Sequence, residues 1–330
     1  MKYIMGPIWW GIKKGVLMTI QEHLPWDQVN DETLSFLRAI GVDYLSIHPS
    51  PPTWDGEDRL DYWKAMRRLA ESHGLRLHNV GTKTWEEVCL GTPDRDAKIE
   101  AWRTMLRNLG EAGIPTLGYT FQPGGYFRTS STPVGRGGAR YSTFDYEELM
   151  QNPPERPRIA EAQVWENMAY FLERVLPVAE EAGVTMALHP DDPPLPETIC
   201  GAARIVSSLD QFRRIFDLAP SRAHAMLFCQ GCVAEMGEDA PDAIRKMAGL
   251  GKIAYVHFRN IRGTPKKFQE VFLDEGDVDM FRAMQTYREV GFEGPFMMDH
   301  TPQFPQERAG WAGRAFAVGY MRAMIQAVYR

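Results

Sequence analysis

Eight short, almost uninterrupted apolar runs recur along this chain, and segments of helical period separate most of them. The runs are "YIMGPIWW" (3–10), "YLSIHP" (44–49), "LRLHNVG" (75–81) and "TLGYTFQP" (116–123). "TMALHP" (185–190), "HAMLFCQG" (224–231), "IAYVHFRN" (253–260) and "PFMMDH" (295–300) complete the set. Apolar residues that do not alternate with polar ones mark parallel strands covered on both faces. Between them, residues 59–74, 98–113, 163–183, 207–220 and 276–291 carry helical spacing. The glycines Gly41, Gly74, Gly113, Gly183 and Gly291 stand where the chain turns back toward the next strand. Strand–helix units repeated eight times with right-handed crossovers predict an α/β fold, a (β/α)8 TIM barrel. The competing doubly wound sheet calls for a glycine-rich phosphate turn after an early strand, and the chain has no GxGxxG or Walker motif. The expected organisation is one barrel domain over 1–330. The stretch 124–161, rich in Gly, Ser and Pro, forms a long insertion on the catalytic face.

The ends of the later strands carry the chemistry. His189 ends the fifth, Cys229 the sixth, His257 the seventh, and Asp299 the eighth, followed by His300. Any one of these alone reads as a core histidine, a small buried thiol or a turn aspartate. Four consecutive barrel strands converge on one mouth, so together they present N, S, N and O donors to a single point. That donor set suits a divalent transition ion, and four protein ligands with positions still open favour a five- or six-coordinate Mn2+ or Fe2+. "CQGC" (229–232) also reads as a redox or zinc motif, but it has no second CxxC and lies deep in the chain. Cys232 is expected to pack near the site.

Polar residues surround these ligands. Asp191 and Asp192 follow His189 and could orient ligands, bind substrate hydroxyls or move protons. Arg259 and Arg262 follow His257, where a planar guanidinium could grip a substrate carboxylate. His300 is the best-placed acid–base group. His48 and His78, read as ending the second and third strands, are candidate substrate contacts or core histidines. Lys83 and Tyr119 carry weaker signals, and Asp277 is expected to cap the helix after "FLDEG".

Composition removes other classes. A net charge of −6 without a basic stripe argues against nucleic acid. No apolar run is long enough to cross a bilayer, and the N-terminus lacks a signal-peptide pattern. Four cysteines in 330 residues suggest reduced thiols in a cytoplasmic protein rather than a disulfide scaffold.

"ALHPDDPP", "VHFRN", "GDVDM" and the terminal "DH" resemble the mannonate dehydratase family from about residue 160 to 300. The resemblance implies a xylose-isomerase-like TIM barrel that dehydrates D-mannonate to 2-keto-3-deoxy-D-gluconate with Mn2+ or Fe2+. The family's metal ligands fall on His189, Cys229, His257 and Asp299, and its following histidine on His300. The chain departs from the family pattern at "MGPIWWGI", at "CQGC", and at "AGWAGRAF", where Trp311 stands nearest the family's tyrosine. The leading expectation is a metal-dependent hydro-lyase acting on a sugar acid. The alternatives are a sugar isomerase or epimerase on the same barrel, or a non-catalytic sugar-acid-binding homologue. Family precedent and exposed aromatic loops suggest a homodimer.

Overall fold

In the computed structural model, which describes residues 18–48, 57–132, 134–305 and 310–329, eight parallel strands close on themselves. In chain order the strands are β1 (Ile20–Pro25), β2 (Tyr44–His48), β3 (Arg76–Lys83), β4 (Thr116–Thr120), β5 (Ser130–Thr132) and β6 (Tyr141–Asp145). They continue as β7 (Thr185–Leu188), β8 (His224–Cys229), β9 (Ile253–His257), β10 (Ile261–Thr264), β11 (Lys267–Glu270) and β12 (Phe296–Met297). The barrel runs β1-β2-β3-β4-β7-β8-β9-β12 and returns to β1. The apolar run at 3–10 lies outside the described residues. The barrel position expected for it is taken by β1, whose sequence "IQEHLP" contains too many polar residues to read as a buried strand.

The principal helices are α1 (Asp31–Ile40), α2 (Leu60–Ser72), α3 (Glu86–Leu90), α4 (Arg95–Ala112), α5 (Tyr146–Gln151) and α6 (Glu161–Ala182). After them come α7 (Leu209–Leu218), α8 (Gln230–Glu235), α9 (Ala240–Gly249), α10 (Met280–Glu289) and α11 (Trp311–Tyr329). Local chemistry sets their ends. The Asn30 side chain accepts from the Thr33 amide at 3.1 Å to start α1, and Ser208 accepts from Gln211 at 3.2 Å to start α7. Helix α10 is capped by Asp279, which accepts from Arg282 at 2.9 Å. Asp277, the residue expected there, accepts from the Gly263 amide at 2.8 Å and ties the preceding loop to a hairpin. The main core lies between strands and helices, with Trp63, Trp102, Phe171, Phe212, Phe228 and Tyr287 fully buried.

The long insertion is partly ordered by a partner far away in sequence. β10 and β11 form a hairpin just after β9, and β11 pairs antiparallel with β6 of the insertion. The resulting sheet, β10-β11-β6-β5, stands apart from the barrel sheet. Phe127, Phe144, Leu149, Leu195, Ile199, Ile261 and Phe268 form its own apolar cluster. Among the described residues no helix is long and apolar enough to cross a membrane.

Candidate active site

His189 directly follows β7, while Cys229 and His257 end β8 and β9 as register partners. Asp299 lies two residues beyond β12, in the left-handed region at φ +67°. An aspartate tolerates that conformation at a cost, and here it turns the carboxylate toward the other three ends. Ligand atoms of His189, Cys229, His257 and Asp299 all lie within 4.8 Å of one another. Cys229 Sγ is 3.9 Å from Asp299 Oδ2, and His257 Nδ1 is 3.0 Å from Asp299 Oδ1. His257 Nε2 is buried with no hydrogen-bond partner. A buried imidazole nitrogen without a partner, beside a thiol and a carboxylate, fits a divalent transition ion. Burial opposes ionisation of Cys229, but the Cys232 hydrogen bond and the Arg259 charge outweigh it and hold the thiol well below its usual range.

A second buried acidic group, Asp192, Cys232 and Glu235, lies alongside. Its occupant is the guanidinium of Arg259. Arg259 Nη2 donates to Glu235 Oε1 at 2.6 Å and to Cys232 Sγ at 3.2 Å. Its Nη1 reaches Asp192 Oδ2 at 3.0 Å, and Glu270 Oε1 and Asp299 Oδ2 at 3.2 Å each. With five partners on its two terminal nitrogens and a 1% exposed side chain, Arg259 is committed to positioning other groups, although it borders the cavity. Arg128, from the insertion, clamps Asp192 through Nη1 at 2.5 Å and Nη2 at 2.9 Å, and also pairs with Glu270. Asp192 is therefore ion-paired on both oxygens. Glu270 in turn holds His300 Nδ1 at 3.1 Å.

A cavity of about 350 Å³ opens beside this four-residue cluster. His48, Lys83, Thr82, Thr84, Gln122 and Tyr126 line it, together with His189, His257, Asp299 and His300. Gly81 makes room for His48, because a Cβ there would sit 2.6 Å from the imidazole. Burial pushes His48 down to about 4, so it faces the cavity as a neutral ring. His300 is 41% exposed, and Tyr126 stands edge-on to it at 6.4 Å between ring centroids.

Three expected contacts lie elsewhere. Arg262 sits on the exposed hairpin, where its Nη2 donates to the Glu275 carbonyl at 2.6 Å, because β10 carries it away from the barrel mouth. Asp191 is buried under the cavity. It accepts from the Val206 amide at 2.8 Å and Ser207 Oγ at 3.0 Å, so it ties down the following loop. His78 lies near the start of β3, at the opposite mouth. There it pairs with Gln21 Oε1 at 3.0 Å and stacks on Tyr44. β3 continues to Lys83, so the lysine occupies the end that His78 was expected to hold. Trp311 stacks on Phe36 with ring centroids 4.4 Å apart and forms part of the helix packing.

Arg128, Glu235 and Glu270 carried no motif. The one local signal is Glu270, a carboxylate at the same buried phase of β11 as Phe268. Glu22 was also missed. It is fully buried, pushed up to about 7 by burial against the opposing pull of Arg314, whose Nη1 is 2.9 Å away.

Comparison with known proteins identifies the family and the fold. The profile of the D-mannonate dehydratase (UxuA) family matches residues 26–157 and 155–330. Mannonate dehydratase 2 of Halalkalibacterium halodurans is 32% identical over 298 residues, covering 80% of this chain and 86% of that protein. The crystal structure of mannonate dehydratase from Streptococcus suis serotype 2 superposes with a TM-score of 0.86 at 26% identity, covering 94% of each chain. A xylose isomerase domain protein from Planctomyces limnophilus, at 16% identity and TM-score 0.64 over 96% of this chain and 99% of that one, shares the fold alone. The xylose isomerase domain protein thus matches in architecture, while the dehydratases match in sequence and architecture together. This chain belongs to the D-mannonate dehydratase family.

Proposed function

We propose that this protein is a metal-dependent hydro-lyase that removes water from D-mannonate to give 2-keto-3-deoxy-D-gluconate. The observation that carries the proposal is the convergence of His189, Cys229, His257 and Asp299 beneath a cavity open to a small molecule. These four residues would hold the ion, with Mn2+ or Fe2+ preferred for their mixed donor set. When bound, such an ion supplies Lewis acidity toward substrate oxygens.

The rest is work for the chain's own groups. β-Elimination removes the proton beside the carboxylate and returns one to the departing hydroxyl. His300 lines the cavity with Nδ1 hydrogen-bonded to Glu270, and its Nε2, 3.7 Å from Asp299 Oδ1, is the atom that exchanges a proton with substrate. Glu270 fixes the ring's orientation, as Arg128 and Arg259 fix Glu270. Arg259 and Asp192 serve here as positioning residues: the first restrains Asp299, the second anchors both guanidiniums. His48, Thr82 at the end of β3 and Thr84 just beyond it supply neutral contacts for hydroxyls.

We further propose that the chain works as one barrel domain with 124–161 as its roof, in the cytoplasm and as a homodimer. The test of the activity is turnover of D-mannonate by Mn2+-loaded protein, scored as 2-keto-3-deoxy acid, with a chelated control. Product that vanishes on chelation supports the proposal. No product from protein with measured metal content overturns it.

A further inference from the structure

The two sides of the cavity differ in chemistry. β3 stands diametrically across the eight-strand ring from β9, so its carboxyl end faces the His257–Arg259 side. On the β3–β4 side the lining groups are Thr82, Lys83, Thr84, Thr120 and Gln122. Lys83 and Arg259 are the only lysine or arginine among the described lining residues.

A sugar acid carries one group that hydroxyl contacts cannot neutralise, its carboxylate. Loss of the adjacent proton adds charge to that same group in the transition state, where a fixed cation helps most. Arg259 is held by Asp192, Glu235, Glu270, Asp299 and Cys232. Lys83 is the last residue of β3, in register with Thr120 at the end of β4, and is exposed to the cavity. Its ammonium has no anionic partner among the described residues. A strand end thus delivers a cation without an anionic partner among the described residues to the side facing the acidic cluster.

We infer that Lys83 is the substrate-carboxylate contact and sets the preference for sugar acids over neutral polyols. This rests on the sugar-acid reading above and names the residue that enforces it.

The test is equilibrium binding of D-mannonate, D-gluconate and neutral D-mannitol to Mn2+-loaded wild type, Lys83→Met and Lys83→Arg, alongside steady-state turnover. Wild type is expected to bind the acids more tightly than mannitol. Lys83→Met should lose about ten- to hundredfold of that binding preference, the worth of one charge-assisted hydrogen bond, with kcat falling as well as KM rising because the contact strengthens in the transition state. Lys83→Arg should restore part of it, which a merely structural role would not produce. An acid preference retained in Lys83→Met overturns the inference, and so does a wild type that lacks the preference. If wild type prefers an aldonate, Lys83→Met loses that preference, and D-mannonate still yields no keto acid, the Lys83 assignment stands and the D-mannonate reading falls.

Discussion

Arg259 Nη1 lies 3.2 Å from Asp299 Oδ2, so one guanidinium fills the acidic cluster beside the four proposed metal ligands and also holds one of them. The ligand set and its neighbouring ion network are therefore mechanically one object. Removing a member of either should produce different, separable losses.

Cys229→Ser exchanges a thiolate donor for a neutral hydroxyl while leaving the cavity shape almost intact. Metal content after dialysis, read by elemental analysis, should fall well below that of wild type at equal folding. A wild-type stoichiometry would remove Cys229 from the ligand set.

Arg259→Met leaves Glu235 buried without its cation, and Asp192 and Glu270 with Arg128 alone. Breaking a buried ion cluster by deleting one partner costs about 3–5 kcal/mol, so urea unfolding should shift by that order. Arg259→Lys should recover only part, since a single ammonium cannot span donors placed for a planar fork. Unfolding midpoints that match wild type in both variants would show that the network adds nothing to stability.

His300→Asn keeps a polar side chain beside Glu270 but removes the group that exchanges a proton. Turnover should drop by about 10²- to 10⁴-fold with metal content unchanged. Activity near the wild-type level would assign the proton transfer to another group, with Tyr126 the nearest phenol in the cavity.

His224 offers a test of pH dependence away from the metal ligands. Burial, with the nearby Lys252 ammonium, pushes it down to about 3, and its Nε2 lies 2.8 Å from the Tyr119 hydroxyl. Below the unfolded-state value of about 6.5 the unfolded chain takes up a proton that the folded chain refuses. Its contribution to stability is thus present above pH 6.5 and declines as pH falls toward 3, by up to about 1.4 kcal/mol per pH unit. His224→Gln should flatten the slope of unfolding free energy over pH 6 to 4. An unchanged slope would mean that His224 titrates alike in both states.

The barrel and its four strand-end donors were legible because a parallel strand's buried run and its terminal polar residue are adjacent in sequence. Where a strand was read too short, the site moved with the error. Reading β3 as ending at Gly81 placed His78 at the mouth, whereas the strand runs on to Lys83 and His78 stays near its start. β1 escaped notice because Gln21 and Glu22 are buried polar residues, satisfied by partners such as His78 and Arg314 that lie far along the chain. The ion network was invisible for the same reason. Arg128 and Glu270 lie 142 positions apart, and nothing local to either announces the other. Arg262 was read together with Arg259 because the two are three residues apart, but a hairpin strand starting at Ile261 diverts the backbone between them.

The pairing of β6 with β11 has a consequence for how such an enzyme can change over generations. The roof's two halves come from loops after different barrel strands, yet they share one ladder in the register Lys267↔Asp145, Phe268↔Phe144 and Gln269↔Thr143. A one-residue insertion in either half would turn Phe268 or Phe144 out of their shared apolar cluster and Glu270 away from Arg128. Length variation in these loops is therefore tolerated only as matched edits. Transplanting the roof to a related barrel requires carrying both segments together.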